Sequence, residues 1–255
     1  MRRLRFNVAY DGTDFNGWQV QPGLPTIQGA LEEAIGLIEG NRVSVAGSGR
    51  TDAGVHALAQ VAAVSIENLI PLDNFRRAVN RRLPKSIRIS DVGEVPESFH
   101  PRFDARRKLY RYHIFRDEIC PPFERHYVTH HPYPLNETAM MEAALLLEGE
   151  HDFSAFAAAD QSDRPTVSRV RRIFRSTLDR EGSMLVYQVC GSGFLKHMVR
   201  NVIGVLLEVG KGNLTQRDIL HRLRPECGIR PGPTAPASGL FLVSVEYEEV
   251  RNAVQ

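Results

Sequence analysis

A glycine-rich loop carries the residues whose types are best suited to chemistry. Residues 47–57 read GSGRTDAGVHA, with three glycines in the first eight positions and two charged side chains, Arg50 and Asp52. Glycines at this density indicate unusual backbone angles or the close approach of a ligand. A carboxylate held in such a loop between apolar strands is a candidate nucleophile or general base.

Other interpretations of this loop differ in how well the spacing fits. The Gly47-x-Gly49 pair resembles the start of a dinucleotide fingerprint, but Asp52 occupies the third glycine position and no helix is predicted to follow. The loop also lacks the Gly-Lys-Ser/Thr of a P-loop and the Gly-x-Ser-x-Gly of a nucleophile elbow. From the loop alone, an aspartate that caps a turn through its own backbone is the favoured alternative.

A basic stretch with interleaved aromatic residues lies farther along the chain. From Arg76 to Arg116 there are twelve Lys/Arg and four Asp/Glu residues, an excess of eight positive charges in a chain whose net charge is +2. The aromatic residues in this stretch are Phe99, Phe103, Tyr110 and Tyr112. Basic charge combined with stacking side chains is typical of nucleic-acid binding. A solvated basic face would carry the same charge, so this alternative stays open.

Hydrophobic periodicity predicts the elements that must position these residues. The predicted strands cover residues 3–10, 43–46, 59–66, 87–95, 109–116, 170–178, 184–190 and 240–247. The predicted helices begin after a cap at Thr26 and cover residues 71–83, 136–147 and 196–209, with a capping box at Thr215. Strands and helices alternate, yet hairpins are also present, so we expect an α+β fold with mainly antiparallel sheets and helices packed on the sheet faces.

The chain is predicted to consist of two similar halves. Residues 1–105 form an N-terminal α+β half with the Asp52 loop, and residues 106–255 form a C-terminal α+β half that completes the site. The junction has no Pro/Gly/Ser-rich linker, which favours one continuous sheet.

Composition limits the class of protein. Hydrophobic residues make up 42%, no apolar run is long enough to span a bilayer, and no signal-peptide core follows the basic start, so we expect a cytoplasmic protein. The three cysteines, Cys120, Cys190 and Cys227, are far apart and odd in number. This spacing argues against a disulfide framework and against a zinc site, and no metal is predicted.

Several segments together form a recognisable pattern. The most specific is GRTDAGVHA at residues 49–57. The others, in chain order, are YDGTDFNGWQ at 10–19, TIQG at 26–29, FDA at 103–105 with YRY at 110–112, FLKHMVRN at 194–201, and TAPASGL at 234–240. These segments resemble the TruA family of tRNA pseudouridine synthases. Residues 99–102 and 160–165 depart from the family's usual sequence, but neither segment contains a proposed catalytic residue.

The resemblance implies the pseudouridine synthase fold, with two similar halves of mainly antiparallel mixed sheets joined around a central cleft. It implies a homodimer without a cofactor that acts on uridines of the tRNA anticodon stem-loop, just 3′ of the anticodon. Asp52 matches the family's catalytic aspartate, Tyr110 the tyrosine that packs against the target base, and Arg200 the arginine that pairs with the catalytic carboxylate. Arg50 matches the arginine that helps place the flipped nucleotide.

This chemistry suits these residue types. Breaking the N1–C1′ bond of uridine gives an oxocarbenium-like centre that a carboxylate can stabilise or attack, as in glycosidases. For Tyr110 the structural alternative is a core aromatic residue, and for Arg200 it is an exposed helix arginine. From the residues alone the core alternative is preferred for Tyr110, whereas the resemblance favours contact with the target base. Phosphate contacts are predicted for the four arginines of the second helix, Arg76, Arg77, Arg81 and Arg82. Two other functions stay open: the same reaction on another RNA, and a non-catalytic RNA chaperone.

Overall fold

The computed structural model describes residues 1–158, 168–225 and 228–248. Cys227 and the segment 160–165, both singled out above, lie outside the described residues. The chain forms two compact units, the first made of Met1–Lys108 together with the chain from Leu242 onwards, and the second of Leu109–Phe241. No helix in the described part of the chain is long and apolar enough to cross a membrane.

The described residues form ten strands, five α-helices and one short 3₁₀ turn. In chain order they are β1 (Arg2–Tyr10), α1 (Ile27–Glu39), β2 (Ala46–Gly47), β3 (His56–Ile66), α2 (Leu72–Arg82), β4 (Ile87–Val95), β5 (Ala105–Phe115), β6 (Thr129–His130), α3 (Glu137–Leu145), β7 (Gly149–Asp152), the 3₁₀ turn (Ser154–Phe156), β8 (Val170–Glu181), β9 (Met184–Gly191), α4 (Met198–Gly210), α5 (Gln216–Arg222) and β10 (Leu240–Tyr247). Antiparallel pairs dominate, β6 runs parallel to β5, and the expected α+β class is confirmed.

The first unit is built on β1, which pairs antiparallel with β3 on one side and β4 on the other. Its alternating Leu4, Phe6, Val8 and Tyr10 are all buried, as the period of two predicts. Helix α1 begins at the predicted cap, where the Thr26 hydroxyl accepts a hydrogen bond from Gly29 N at 3.2 Å. Helix α2 packs against β4.

The strand predicted at residues 43–46 is wrong; the observed strand β2 comprises only Ala46 and Gly47, opposite β3. Side chains of α1 supply the hydrogen bonds that a strand neighbour would have made. Val45 N donates to the Glu32 carboxylate at 2.9 Å, and Val45 O accepts from Gln28 Nε2 at 3.1 Å. The backbone of this segment is therefore satisfied without a ladder.

The second unit contains the predicted hairpin, β8 and β9, which pair antiparallel and extend beyond the predicted ends. Helix α3 packs against β8. Helix α4 is buried on nearly every side but begins two residues later than predicted, because His197 has a left-handed φ of 59°. The capping box at Thr215 is confirmed by reciprocal bonds with Asp218. These elements present Tyr110 on β5 and Arg200 on α4.

Candidate active site

The loop that carries Asp52 is held at its start by strand β3. Ser48 is fully buried; its N donates to Val61 O at 2.8 Å and its hydroxyl donates to the Gln60 side-chain oxygen. Gln60 Nε2 in turn donates to Gly49 O at 2.9 Å. Gln60 is itself fully buried, so these bonds lie away from competing water and hold the backbone before Arg50 in place.

Contacts of Thr51 hold the same loop one residue before the carboxylate. Its carbonyl accepts from Trp18 N at 3.0 Å, and its hydroxyl lies 2.8 Å from the Tyr10 hydroxyl. Burial raises the pKa of Tyr10, so its phenol stays protonated near neutral pH. After Thr51, Asp52 is half-buried and its carbonyl closes a turn by accepting from Val55 N at 3.2 Å.

Two glycines of the opening segment, residues 10–19, allow it to pack directly on the loop backbone. A Cβ at Gly12 would lie 2.0 Å from Val55 O, and a Cβ at Gly17 would lie 2.5 Å from Thr51 O. Gly17 also has a φ of +85°, which other residues rarely adopt. The opening segment therefore packs on the backbone of the Asp52 loop and supports it.

Sequence reasoning missed two residues that fasten this loop. The Lys108 ammonium donates to Ser48 O, and burial lowers the pKa of that ammonium to about 8, with the nearby positive charge of Arg102 as a smaller cause. The Tyr247 side chain approaches Ser48, and its hydroxyl donates to Pro101 O at 2.7 Å. The signal for Lys108 was its place two residues before Tyr110 in an alternating strand.

The second unit brings three of the quoted motifs together. Tyr110 is buried, and its ring lies edge-on to Phe194 with centroids 5.0 Å apart. The Tyr112 hydroxyl donates to Pro236 O at 2.9 Å. The Thr234 hydroxyl donates to the Asn201 side-chain oxygen at 2.6 Å. Residues 110–112, 194–201 and 234–240 thus form one packed cluster.

Arg200 is placed by the last of these segments. Its Nε donates to Ala235 O at 2.8 Å, while Ala235 N donates back to Arg200 O at 3.1 Å. The residue is half-buried, so the alternative of an exposed helix arginine is wrong. Burial raises the pKa of Tyr112 to about 12, against smaller opposing effects of Thr129 and of the Arg200 charge. Arg200 thus presents a partly buried positive charge beside the motif cluster.

The predicted site residues fall into two groups. Arg50 and Asp52 share one loop of the first unit, with Arg50 exposed, whereas Tyr110 and Arg200 belong to the second unit. The arginines of α2 lie in the first unit: Arg77, Arg81 and Arg82 are exposed, and Arg76 bonds to Asp73 at 3.3 Å.

Metal ligands do not converge in the part of the chain that the structure describes. Within residues 1–158, 168–225 and 228–248, no group of three His, Cys, Asp or Glu side chains is close enough to hold an ion. Cys120 is a free thiol.

Comparison with known proteins identifies the family. A family model described as tRNA pseudouridine synthase matches residues 7–104 and 143–248. A tRNA pseudouridine synthase A of Solibacter usitatus (strain Ellin6076) is 62% identical over 247 residues, which cover 97% of this chain and 100% of the relative. Another, of Geobacillus kaustophilus (strain HTA426), is 42% identical over 249 residues, which cover 97% and 95%.

A solved structure described as a Cbf5-Nop10-Gar1 complex is similar at a TM-score of 0.34 and 14% identity, covering 80% of this chain and 54% of that one; this similarity is too low to support an inference. The family model and the full-length relatives are sufficient to identify the family. The chain belongs to the tRNA pseudouridine synthase family of isomerases, with that family's α+β fold, as the resemblance of its motifs predicted.

Proposed function

We propose that this chain isomerises uridines in the anticodon stem-loop of tRNA, just 3′ of the anticodon, and that Asp52 is the catalytic residue. The observation that carries the proposal is the way in which the backbone around Asp52 is held. The side chain is half-buried, while the backbone on both sides is held by Ser48, Thr51 and Gly54. A carboxylate held this firmly yet reachable from solvent is suited to meet a reacting atom with little reorganisation.

The reaction moves one bond and exchanges one proton. The N1–C1′ bond of uridine breaks, the uracil turns, and a C5–C1′ bond forms; C5 then loses its hydrogen to solvent and N1 gains a proton. Asp52 serves this sequence by attacking C1′, by attacking the base, or by abstracting the 2′ proton. Each route needs an ionised carboxylate close to the N1–C1′ bond of the nucleotide.

The target base must leave the helical stack before an aspartate in a loop can reach its sugar. We assign Tyr110 to pack against the flipped uracil, because its ring is held edge-on by Phe194 at 5.0 Å. Exposed Arg50, on the same loop as Asp52, helps to place the nucleotide. Arg200, oriented by its bond to Ala235 O, is assigned to pair with the catalytic carboxylate, as the resemblance implies.

We further propose that the enzyme works as a cytoplasmic homodimer without metal or cofactor. The isomerisation is redox-neutral and needs no external group donor, so the side chains named above suffice for its chemistry. A cytoplasmic location follows from the proposed substrate, tRNA.

The arginines of α2 are proposed to contact RNA phosphates. Three of them are exposed on one helix, and we expect them to contribute through counterion release. Replacing Arg77 and Arg81 by Ala should flatten the plot of log Kd against log salt by about two. Turnover at saturating tRNA should stay close to that of the parent. An unchanged slope would show that this helix lies away from the RNA.

Tritium release tests the proposed reaction. tRNA tritiated at uridine C5 is incubated with the parent protein, with Asp52→Ala, and with Asp14→Ala as a control at an exposed position. Release by the parent and Asp14→Ala but not by Asp52→Ala supports the proposal. Tight tRNA binding without release would favour the RNA chaperone, and release from other RNAs but not from anticodon stem-loops would favour a different substrate.

A further inference from the structure

An exposed aromatic group stands on the turn between β4 and β5. Phe103 has 72% of its surface exposed, although it is a large apolar side chain. The His100 ring lies against it with centroids 4.3 Å apart and the planes tilted by 36°, and the Arg102 guanidinium lies over the Phe103 ring, 5.9 Å from its centre. Phe103, His100 and Arg102 are called the aromatic turn below. The aromatic turn combines an exposed aromatic ring with an adjacent positive charge.

The aromatic turn is rigid. His100 N donates to the Asp104 carboxylate at 2.8 Å, and Asp104 N donates back to His100 O at 3.1 Å. Arg102 N donates to His100 Nδ1 at 3.1 Å, which fixes the orientation of the imidazole. A surface that is already ordered loses little conformational entropy when a flat ligand stacks on it.

The aromatic turn is also connected with the loop that carries Asp52. The Tyr247 hydroxyl donates to Pro101 O at 2.7 Å, and the same side chain approaches Ser48. Lys108 donates to Ser48 O. Tyr247 therefore connects the turn with the surroundings of Ser48, four positions before Asp52. All of these contacts lie within the first unit.

The charge around the aromatic turn favours RNA over another apolar partner. Arg102 within the turn and Arg106 and Arg107 shortly after it in the chain are exposed, and Arg106 is also paired with Glu248 at 3.0 Å. Phe123 offers a contrast, since it is 89% exposed but lies between Glu118 and Glu124. An aromatic face among exposed guanidinium groups is the combination that binds unstacked bases in single-stranded RNA.

We infer that Phe103, supported by His100 and Arg102, is a stacking platform for an unpaired base of the RNA substrate, next to the uridine presented to Asp52. The inference rests on the proposed function for the identity of the RNA. The platform holds the neighbouring nucleotide and so helps to keep the reacting one out of the helical stack. Its contribution belongs to binding, because no reacting atom contacts it.

Binding and turnover of four variants test the inference. A fluorescein-labelled anticodon stem-loop transcript is titrated by anisotropy with the parent protein, Phe103→Ala, Phe103→Leu, Phe103→Trp and the control Phe123→Ala. Loss of one base–aromatic stack weakens binding about 5-fold to 100-fold, so Phe103→Ala and Phe103→Leu should raise Kd and KM by this range. Phe103→Trp should stay within about 3-fold of the parent, because a larger ring preserves stacking. Phe123→Ala should be unchanged.

Three results would overturn the platform. Unchanged Kd and KM in Phe103→Ala would show that Phe103 does not contact the RNA. If Phe103→Leu bound RNA as tightly as the parent, apolar surface without a ring would suffice and stacking would be excluded. A change of oligomeric state on light scattering, with RNA affinity per dimer unchanged, would assign Phe103 to a protein interface. The binding measurement does not need turnover. If the parent releases no tritium while Phe103→Ala still weakens binding, the proposed reaction fails and the platform stands.

Discussion

In the first unit Arg50 and Asp52 stand on an irregular loop, whereas in the second unit Tyr110 and Arg200 stand on strand β5 and helix α4. Part of the loop backbone is satisfied by side chains from outside the loop, since buried Gln60 donates to Gly49 O and half-buried Lys108 donates to Ser48 O. A strand and a helix satisfy their own backbones, so their site residues need only local orientation, such as the bond from Arg200 to Ala235 O. The difference shows that the Asp52 loop depends on more distant residues than the segments that carry Tyr110 and Arg200.

The largest expected effect separates the chemistry of the loop from its architecture. Asp52→Asn keeps the size of the side chain but removes its charge, so kcat should fall at least about 1,000-fold while the melting temperature stays nearly constant. Asp14→Asn, at an exposed turn, should keep parental kcat. Single-turnover tritium release measures both. Activity of Asp52→Asn within 10-fold of the parent would move catalysis to another residue.

Next in size is the support of the loop by the opening segment. Gly17→Ala combines a φ of +85° with a Cβ 2.5 Å from Thr51 O, and should cost about 2 to 4 kcal/mol of unfolding free energy as well as activity. Gly23→Ala is the matched control, because its φ is +73° but its Cβ meets nothing within 4 Å. It should cost about 1 to 2 kcal/mol and leave kcat intact. Urea titration and tritium release give the two quantities, and equal losses would show that the close packing is unimportant.

The same chemical change in each unit sharpens the comparison. Tyr10→Phe removes the hydroxyl beside Thr51, and Tyr112→Phe removes the hydroxyl that donates to Pro236 O. Each should cost about 1 to 3 kcal/mol, because a buried threonine hydroxyl, that of Thr51 or Thr129, loses its partner. Only Tyr10→Phe should also lower kcat, by about 10-fold, since Thr51 directly precedes Asp52. An equal fall in kcat for Tyr112→Phe would contradict the view that kcat depends more on the contacts of the Asp52 loop than on those around Tyr112.

The smallest effect concerns Lys108 and depends on pH. Its folded-state pKa of about 8 lies below the ordinary value of 10.5, so the folded state binds fewer protons than the unfolded state between these values. The unfolding free energy of the parent should therefore rise, relative to Lys108→Met, as pH increases from 8 to 10.5. Below pH 8 the parent carries the full cost of the buried charge, so Lys108→Met should be no less stable than the parent there.

Denaturant titrations between pH 7 and 10.5 follow this difference, with Lys85→Met as the exposed control that sets the baseline. At pH 7, Lys108→Met should lower kcat by a few-fold, because Ser48 O loses its donor. If the unfolding free energy of the parent, relative to that of Lys108→Met, fell with rising pH, the surroundings of Lys108 would stabilise its ammonium instead of destabilising it.

Local signals predicted local structure well. The alternation of β1, the hairpin of β8 and β9, and the Thr215 capping box depend on residues close in the sequence, and all are confirmed. The failed strand at residues 43–46 depends on Glu32, whose carboxylate reaches Val45 from a separate element. The helix predicted from residue 196 begins only at Met198, because the left-handed backbone of His197, a non-glycine residue, has no sequence pattern.

Motif resemblance identified Asp52, Arg50, Tyr110 and Arg200 as candidates and the family to which the chain belongs. It did not find Lys108 or Tyr247, because their bonds to Ser48 O and Pro101 O connect positions 60 or more residues apart. The aromatic character of Phe103 was visible in the sequence. Its 72% exposure was not, because exposure depends on every segment that could have covered the ring.

The sequence by itself determined the class of fold, the family, and which residue types could carry the reaction, since periodicity and motif order are properties of neighbouring residues. Only the tertiary structure decided which distant side chains hold the Asp52 loop and which aromatic ring faces solvent. The physical reason is that burial and hydrogen bonding depend on what the whole chain brings to a point in space, and residues far apart in sequence supply most of it.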